Sequence, residues 1–171
     1  MQQLMPTHTG TAHADIAMPV QGVYELWTRV ETYPHYLSAV EEVARLTDTV
    51  LHWRVAFGEH RRDFDAVVEE HLPRQRIAWR SLGSAFHTGN VTFEALDAAR
   101  TRVRLHLTWD HRVLESPEGE RVSGRLVDDA AVAADLRAFA DYAAATGAGD
   151  DPPRLIGEPE AHESPPGDRL G

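Results

Sequence analysis

Between Arg76 and Thr108 the chain reads RIAWRSLGSAFHTGNVTFEALDAARTRVRLHLT, three runs in which apolar and polar residues alternate at period two. Ile77, Trp79 and Ser81 share one parity; so do Gly89, Val91 and Phe93, and then Val103, Leu105, Leu107 and Trp109. Arg80, Asn90, Thr92, Arg104, His106 and Thr108 take the other. Successive side chains of a strand point to opposite faces, so this pattern calls for antiparallel strands with one dry face and one wet face. A sheet that is dry on one side needs a cover. Gly124 to Thr146 supplies it as a long helix, with Val127, Ala131, Ala134, Leu136, Phe139 and Ala143 at helical spacing and Gly147 as its C-cap.

The rest of the chain adds strands and two short helices. Thr9 to Met18 reads as a first strand, with Ala12, Ala14 and Ile16 on one parity. Pro19 suits the first turn of a helix over 20–30, on which Val23, Leu26, Trp27 and Val30 make the apolar stripe. Pro34 stops it, and Tyr33, His35, Tyr36 and Leu37 form a second short helical turn. Strands are predicted at Val40–Leu46, Val50–Phe57, about Asp63–Glu69, 76–82, 86–95 and 101–110. Turn chemistry at Gly58-Glu59, Pro73-Arg74, Gly83-Ser84 and Asp97-Ala98 separates them, which describes a meander. The helix cover is uneven: Ala130, Ala131, Ala133 and Ala134 make its first half thin, while Leu136, Phe139 and Tyr142 make the second half broad. The thin half is expected to leave a hollow over the sheet, and the broad half to plug one end.

Length and composition bound the rest. A chain of 171 residues suits one domain, set at 1–147, and residues 148–171 are rich in Gly, Pro and acid and expected to be disordered. With no cysteine, disulfides, thiolate metal sites and a cysteine nucleophile are excluded. The net charge of −10 repels phosphate backbones, so nucleic acid and anionic membranes are not expected partners. MQQLMPTHTG carries no secretory signal pattern, and no window approaches the roughly 18 apolar residues of a membrane span. The expected location is cytoplasmic. Oligomeric state is open.

The element order of strand, two helices, six-strand meander and long C-terminal helix is that of helix-grip proteins. At the residue level the chain resembles the actinobacterial polyketide cyclase/dehydrase branch of the START-like (SRPBCC, Bet v 1-like) superfamily. The resemblance is carried by VYELWTRVETYPHYL at 23–37, the Trp53 strand, LPRQRIAWRS at 72–81, HTGNVTF at 87–93, TRVRLHL at 101–107 and DLRAF at 135–139. It implies an α+β helix-grip fold: a seven-stranded antiparallel sheet gripping the C-terminal helix, with two short helices after the first strand. It also implies a deep, partly apolar cavity. Members in the secondary metabolism of aromatic polyketides direct cyclisation, dehydration and aromatisation of poly-β-ketone chains; other relatives only bind or carry hydrophobic molecules. Two departures stand out. Trp109-Asp110-His111-Arg112 replaces a Pro/Gly turn, and TGAGDD at 146–151 replaces a Trp-bearing ending.

Candidate site residues follow from parity. His87 falls on the dry parity, and Ser81 on the neighbouring strand could meet it, so His87 with Ser81 is the candidate acid/base pair for enolisation or dehydration. The plainer role for His87 is a strand-end residue bonded to a loop carbonyl. Trp53, Trp79, Trp109 and Phe93 are candidate ligand walls, although such rings also serve as core, as do Phe57 and Phe64. Tyr33 and Tyr36, with His35, border the expected entrance and could orient a polar ligand end; a solvated loop is the alternative. Ala131 and Phe139 mark the thin and broad halves of the helix cover. Asp128 and Asp129 are explained by the helix dipole, and Asp135 is read as a surface or capping acid. The ten histidines make no metal motif, so no metal and no cofactor are expected.

The leading expectation is a cofactor-free enzyme that holds a hydrophobic, oxygenated, polyketide-like molecule and promotes its cyclisation or dehydration by confinement and proton transfer. The alternative is a carrier of a lipid, quinone or other hydrophobic molecule with no chemistry. A third is an interaction module with a filled core.

Overall fold

The computed structural model describes residues 7–57, 60–83, 87–110 and 128–147. The predicted helix start at 124–127, the Gly58-Glu59 turn, His111, Arg112 and the tail at 148–171 lie outside them. The strands are β1 (Thr7–Ile16), β2 (Val40–Arg45), β3 (Val50–Phe57), β4 (His60–Leu72), β5 (Arg76–Ser81), β6 (His87–Asp97) and β7 (Arg100–Asp110). All pair antiparallel in one sheet of order β1-β7-β6-β5-β4-β3-β2. From β2 to β7 this is a meander, and β1 returns from the chain start to pair with β7.

Two short helices bridge β1 and β2. Helix α1 (Val20–Thr28) buries Val23, Tyr24, Leu26 and Trp27, and Pro19 stands just before its first turn. A 3-10 helix (Val30–His35) follows, with Pro34 inside it. Helix α2 (Asp129–Gly147) covers the sheet. Asp128 accepts the Ala131 N–H at 2.8 Å, and Asp129 accepts the Thr11 N–H at 2.9 Å, so the first acid caps the helix and the second ties it to β1. Gly10 lets α2 sit this close. A Cβ there would collide with the Asp128 carbonyl and the Val132 side chain.

The alternation between Arg76 and Thr108 appears as a buried face. Ile77, Trp79, Val91, Phe93, Val103, Leu105, Leu107 and Trp109 are all 7% exposed or less. The buried stripe of α2, however, is Val132, Leu136, Phe139 and Ala143, whereas Ala131 and Ala134 are only partly buried. The expected stripe was therefore rotated toward the alanines.

That rotation bears on the predicted hollow. Among the described residues, Val132, Leu136 and Phe139 of α2 and Trp27, Trp53 and Trp79 are each at most 2% exposed. Rings pack against one another beneath the broad half of α2. Trp27 lies 5.0 Å from Phe139, Tyr33 lies 5.7 Å from Trp53, and Trp53 lies 5.7 Å from Trp79, centroid to centroid. Among the described residues, two grooves lie on the flanks of α2.

Candidate functional site

The two grooves differ in chemistry. The larger, about 610 Å³, runs between Asp15–Pro19 and Ala140, Ala143 and Ala144 of α2. Its carboxylate, Asp15, is already held by Arg102 at 2.8 Å. The smaller, about 370 Å³, lies between the 3-10 helix and the first half of α2. Pro34, His35, Tyr36 and Ser38 line one wall, and Ala131, Ala134, Asp135 and Ala138 the other. Its size falls within the range of small-molecule sites, and its lining mixes apolar surface with a few polar groups.

Asp135 is the distinctive group of this smaller groove. Expected at the surface, it is 8% exposed. One carboxylate oxygen accepts the Ser38 N–H at 3.3 Å. Burial holds its pKa above the ordinary carboxylate value, and hydrogen bonding from Ser38 opposes the rise. A partly desolvated carboxyl beside an open groove is the type of group that exchanges protons with a ligand. Sequence reading missed it because a lone Asp between Ala134 and Leu136 carries no mark of the 3-10 helix that buries it.

Tyr36 forms the base of the same groove. It is 2% exposed and packs against Trp27, Phe139 and Tyr142 at 5.0 to 5.5 Å. Burial pushes its hydroxyl well above the ordinary phenol pKa, so it stays protonated; Thr32 gives its own proton to the Arg29 carbonyl, and Tyr36 donates to the Thr32 oxygen at 3.3 Å. His35, in the same lining, stacks on Tyr142 at 5.2 Å. Ala131 and Tyr36, both expected to meet ligand, thus share one groove. Tyr33 and Phe139 lie behind it in the core. Phe93 is farther off, edge-on to Tyr24 at 6.0 Å.

His87 points inward, as parity predicts, with 1% exposure. Its backbone N–H donates to the Ser81 hydroxyl at 2.9 Å, so those two residues do meet. The imidazole is fully engaged. Nε2 accepts the Trp79 indole N–H at 3.0 Å, which leaves the proton on Nδ1 to donate to the Thr108 carbonyl at 2.9 Å. The ring stacks on Trp109 at 3.7 Å and meets Trp53 and Phe64 edge-on. Burial pushes its pKa down to about 3. A neutral ring with both nitrogens bonded and almost no accessible surface acts as a pin between β5, β6 and β7. Gly89, opposite Trp79, makes the pin possible, because a Cβ there would strike the indole. Among the described residues, no group of three His, Asp or Glu side chains is placed to hold a metal.

Comparison with known proteins agrees with this fold. Residues 16–130 match the family described as polyketide cyclase / dehydrase and lipid transport. An uncharacterized 17.2 kDa protein of Streptomyces lincolnensis is 33% identical over 109 residues, covering 63% of this chain and 73% of the relative. Among solved structures, the Zhui aromatase/cyclase of a Streptomyces species superposes with a TM-score of 0.63 at 21% identity, over 84% of this chain and 99% of its own. A START superfamily protein of Mycobacterium smegmatis gives 0.56 at 15% identity, over 78% and 92%. At these identities the structural matches establish the shared fold.

Proposed function

The chain belongs to the polyketide cyclase / dehydrase and lipid transport family, on a START-like helix-grip fold, and we propose that it binds a hydrophobic, oxygen-bearing small molecule in the groove between α2 and the 3-10 helix. One observation carries this reading: an apolar groove of about 370 Å³ contains the buried carboxyl of Asp135. The aromatase/cyclase with the same fold supports a polyketide-like ligand.

The proposed chemistry is cyclisation or dehydration by confinement and proton transfer. The groove walls hold a flexible chain in one fold, replacing many encounters by one. The Asp135 carboxylate removes a proton from the carbon between two carbonyls, giving an enolate. For dehydration, the same proton passes from Asp135 to the β-hydroxyl, which leaves as water while the carbon–carbon double bond forms. Tyr36 supplies an aromatic wall for the bound chain. His87 and Ser81, expected as the acid/base pair, serve in this reading to hold Trp79 in the core.

The family description also covers lipid transport, and a carrier would use the same groove without turnover. Flavone, a flat neutral ketone, tests occupancy through quenching of tryptophan fluorescence. Ala134→Trp fills the groove and is expected to weaken flavone binding at least about tenfold, or 1.4 kcal/mol, while the far-ultraviolet dichroism is unchanged. Equal affinity in that variant would remove the groove as the site. With a substrate in hand, Asp135→Asn separates the readings: an enzyme loses turnover and keeps binding, whereas a carrier shows no turnover to lose.

A further inference from the structure

Each of the two grooves beside α2 contains a carboxylate, and the chain neutralises only one of them. In the larger groove Asp15 is exposed and bidentate to Arg102, at 2.8 and 3.2 Å. In the smaller groove Asp135 is buried, and among the described residues no Lys, Arg or His forms an ion pair with it. Elsewhere the arginines go to the surface. Arg54 meets Glu42 and Asp63, Arg61 meets Glu41, Arg76 meets Glu70, Arg80 meets Glu69 and Arg102 meets Asp15, all acids at least 35% exposed. Water already solvates both charges there, so such pairs contribute little.

Asp135 is where a counter-charge matters most. Burial withholds water from its carboxylate, and among the described residues Ser38 alone supplies hydrogen bonds to it. The Ser38 amide engages one oxygen at 3.3 Å, whereas a carboxylate accepts at about four positions. A buried charge without a partner is unfavourable. The rest of the lining does not supply one. Pro34, Tyr36, Ala131, Ala134 and Ala138 carry no charge, and His35 is stacked on Tyr142 with the rings 14° from parallel. The groove is therefore a mostly apolar recess with one anionic group and no lysine or arginine.

We infer that this groove takes a ligand bearing a protonated amine on its aromatic or polyketide-like body, with the ammonium resting on the Asp135 carboxylate. The amine brings the counter-charge that the chain withholds, and its N–H groups reach the acceptor positions that Ser38 leaves open. The net charge of −10 draws a cation toward the molecule. An anionic ligand meets the opposite condition, a like charge with no lysine or arginine in the lining. The inference rests on the reading above, that a hydrophobic, oxygen-bearing molecule occupies this groove, and adds a positive charge to that molecule. A bound ammonium also favours the ionised carboxylate, the form from which the proton transfer proposed above begins.

Naphthylmethylamine, protonated at neutral pH, and naphthylmethanol share a ring system and differ in charge, so they test the inference on the full-length protein. The amine is expected to bind at least about tenfold more tightly, and to move the Ser38 amide signal in two-dimensional N–H spectra further than the alcohol does. Asp135→Asn should bring the two affinities together. It removes a buried charge and keeps the side-chain shape, so the fold is retained. Equal affinities for the unaltered chain overturn the inference. So does a preference for the amine that survives Asp135→Asn, which would assign it to the overall negative charge. If Ala134→Trp still weakens flavone binding after either result, the groove reading stands without a cationic ligand. If flavone is indifferent to that change, both fall.

Discussion

His87 and Asp135 are buried titratable residues whose protonation pulls stability in opposite directions. The unfolded chain protonates His87 near 6.5, and the folded protein only at about 3. Its contribution is therefore complete above about pH 6.5 and is lost as pH falls toward 3, by at most about 1.4 kcal/mol per pH unit. Thermal unfolding at a series of pH values should show this acid slope, and His87→Gln should flatten it; an unchanged slope would place the acid sensitivity elsewhere. Asp135 has the opposite sign, because its folded pKa is raised. Stability is lost as pH rises through that value. Asp135→Asn is expected to raise Tm at neutral pH, by about 2–4 °C for each kcal/mol relieved, and to have no effect in acid where both forms are neutral. The inward direction of His87, Trp53, Trp79 and Trp109 was legible from alternation alone. The partners were not. Nothing in the spacing shows that Trp79 occupies Nε2 of His87, or that Ser38 reaches Asp135 across 97 residues of chain.

The strands were read nearly to their ends, because turn residues punctuate them and each register buries one parity. The long helix was read less well. Alanine is compatible with either face, so the sequence spread the stripe over Ala131 and Ala134. Packing chose Val132, Leu136 and Phe139, the last meeting the Trp27 ring of α1 at 5.0 Å. The same choice turned the alanines toward the groove at the 3-10 helix. Between strands, Gly89 is the sensitive point. Gly89→Val is expected to displace the Trp79 indole, break its bond to His87 and cost about 1–3 kcal/mol, read as a lower Tm and a shifted Trp79 indole signal. A variant that keeps both would show that Trp79 has room to move. On the wet face His52 bridges Asp65 at 2.8 Å and Asp63 at 3.3 Å. Both acids raise its pKa, so that bridge contributes below about pH 6.5 and weakens as pH rises through the raised value. Its partners are nearly half exposed, and His52→Gln should change stability by no more than about 0.5 kcal/mol.

At the scale of the molecule, a single sheet, the covering helix and the two short helices share one described core. We propose that residues 1–147 form the folding unit and that 148–171 add little to it. A chain ending at Gly147 should unfold in one transition within about 2–4 °C of the full chain; a larger drop would assign the tail a structural role. We propose that the net charge of −10 also disfavours polyanionic partners. The seat of α2 on Gly10 has a last consequence. β1 is made first, yet it pairs with β7 and is held at its other side by Asp129. A ribosome releasing this chain must therefore deliver nearly every described residue before its earliest strand finds either neighbour. Until then β1 is open to chaperones and to strands of other nascent copies, and late arrival of the final helix sets the moment that exposure ends.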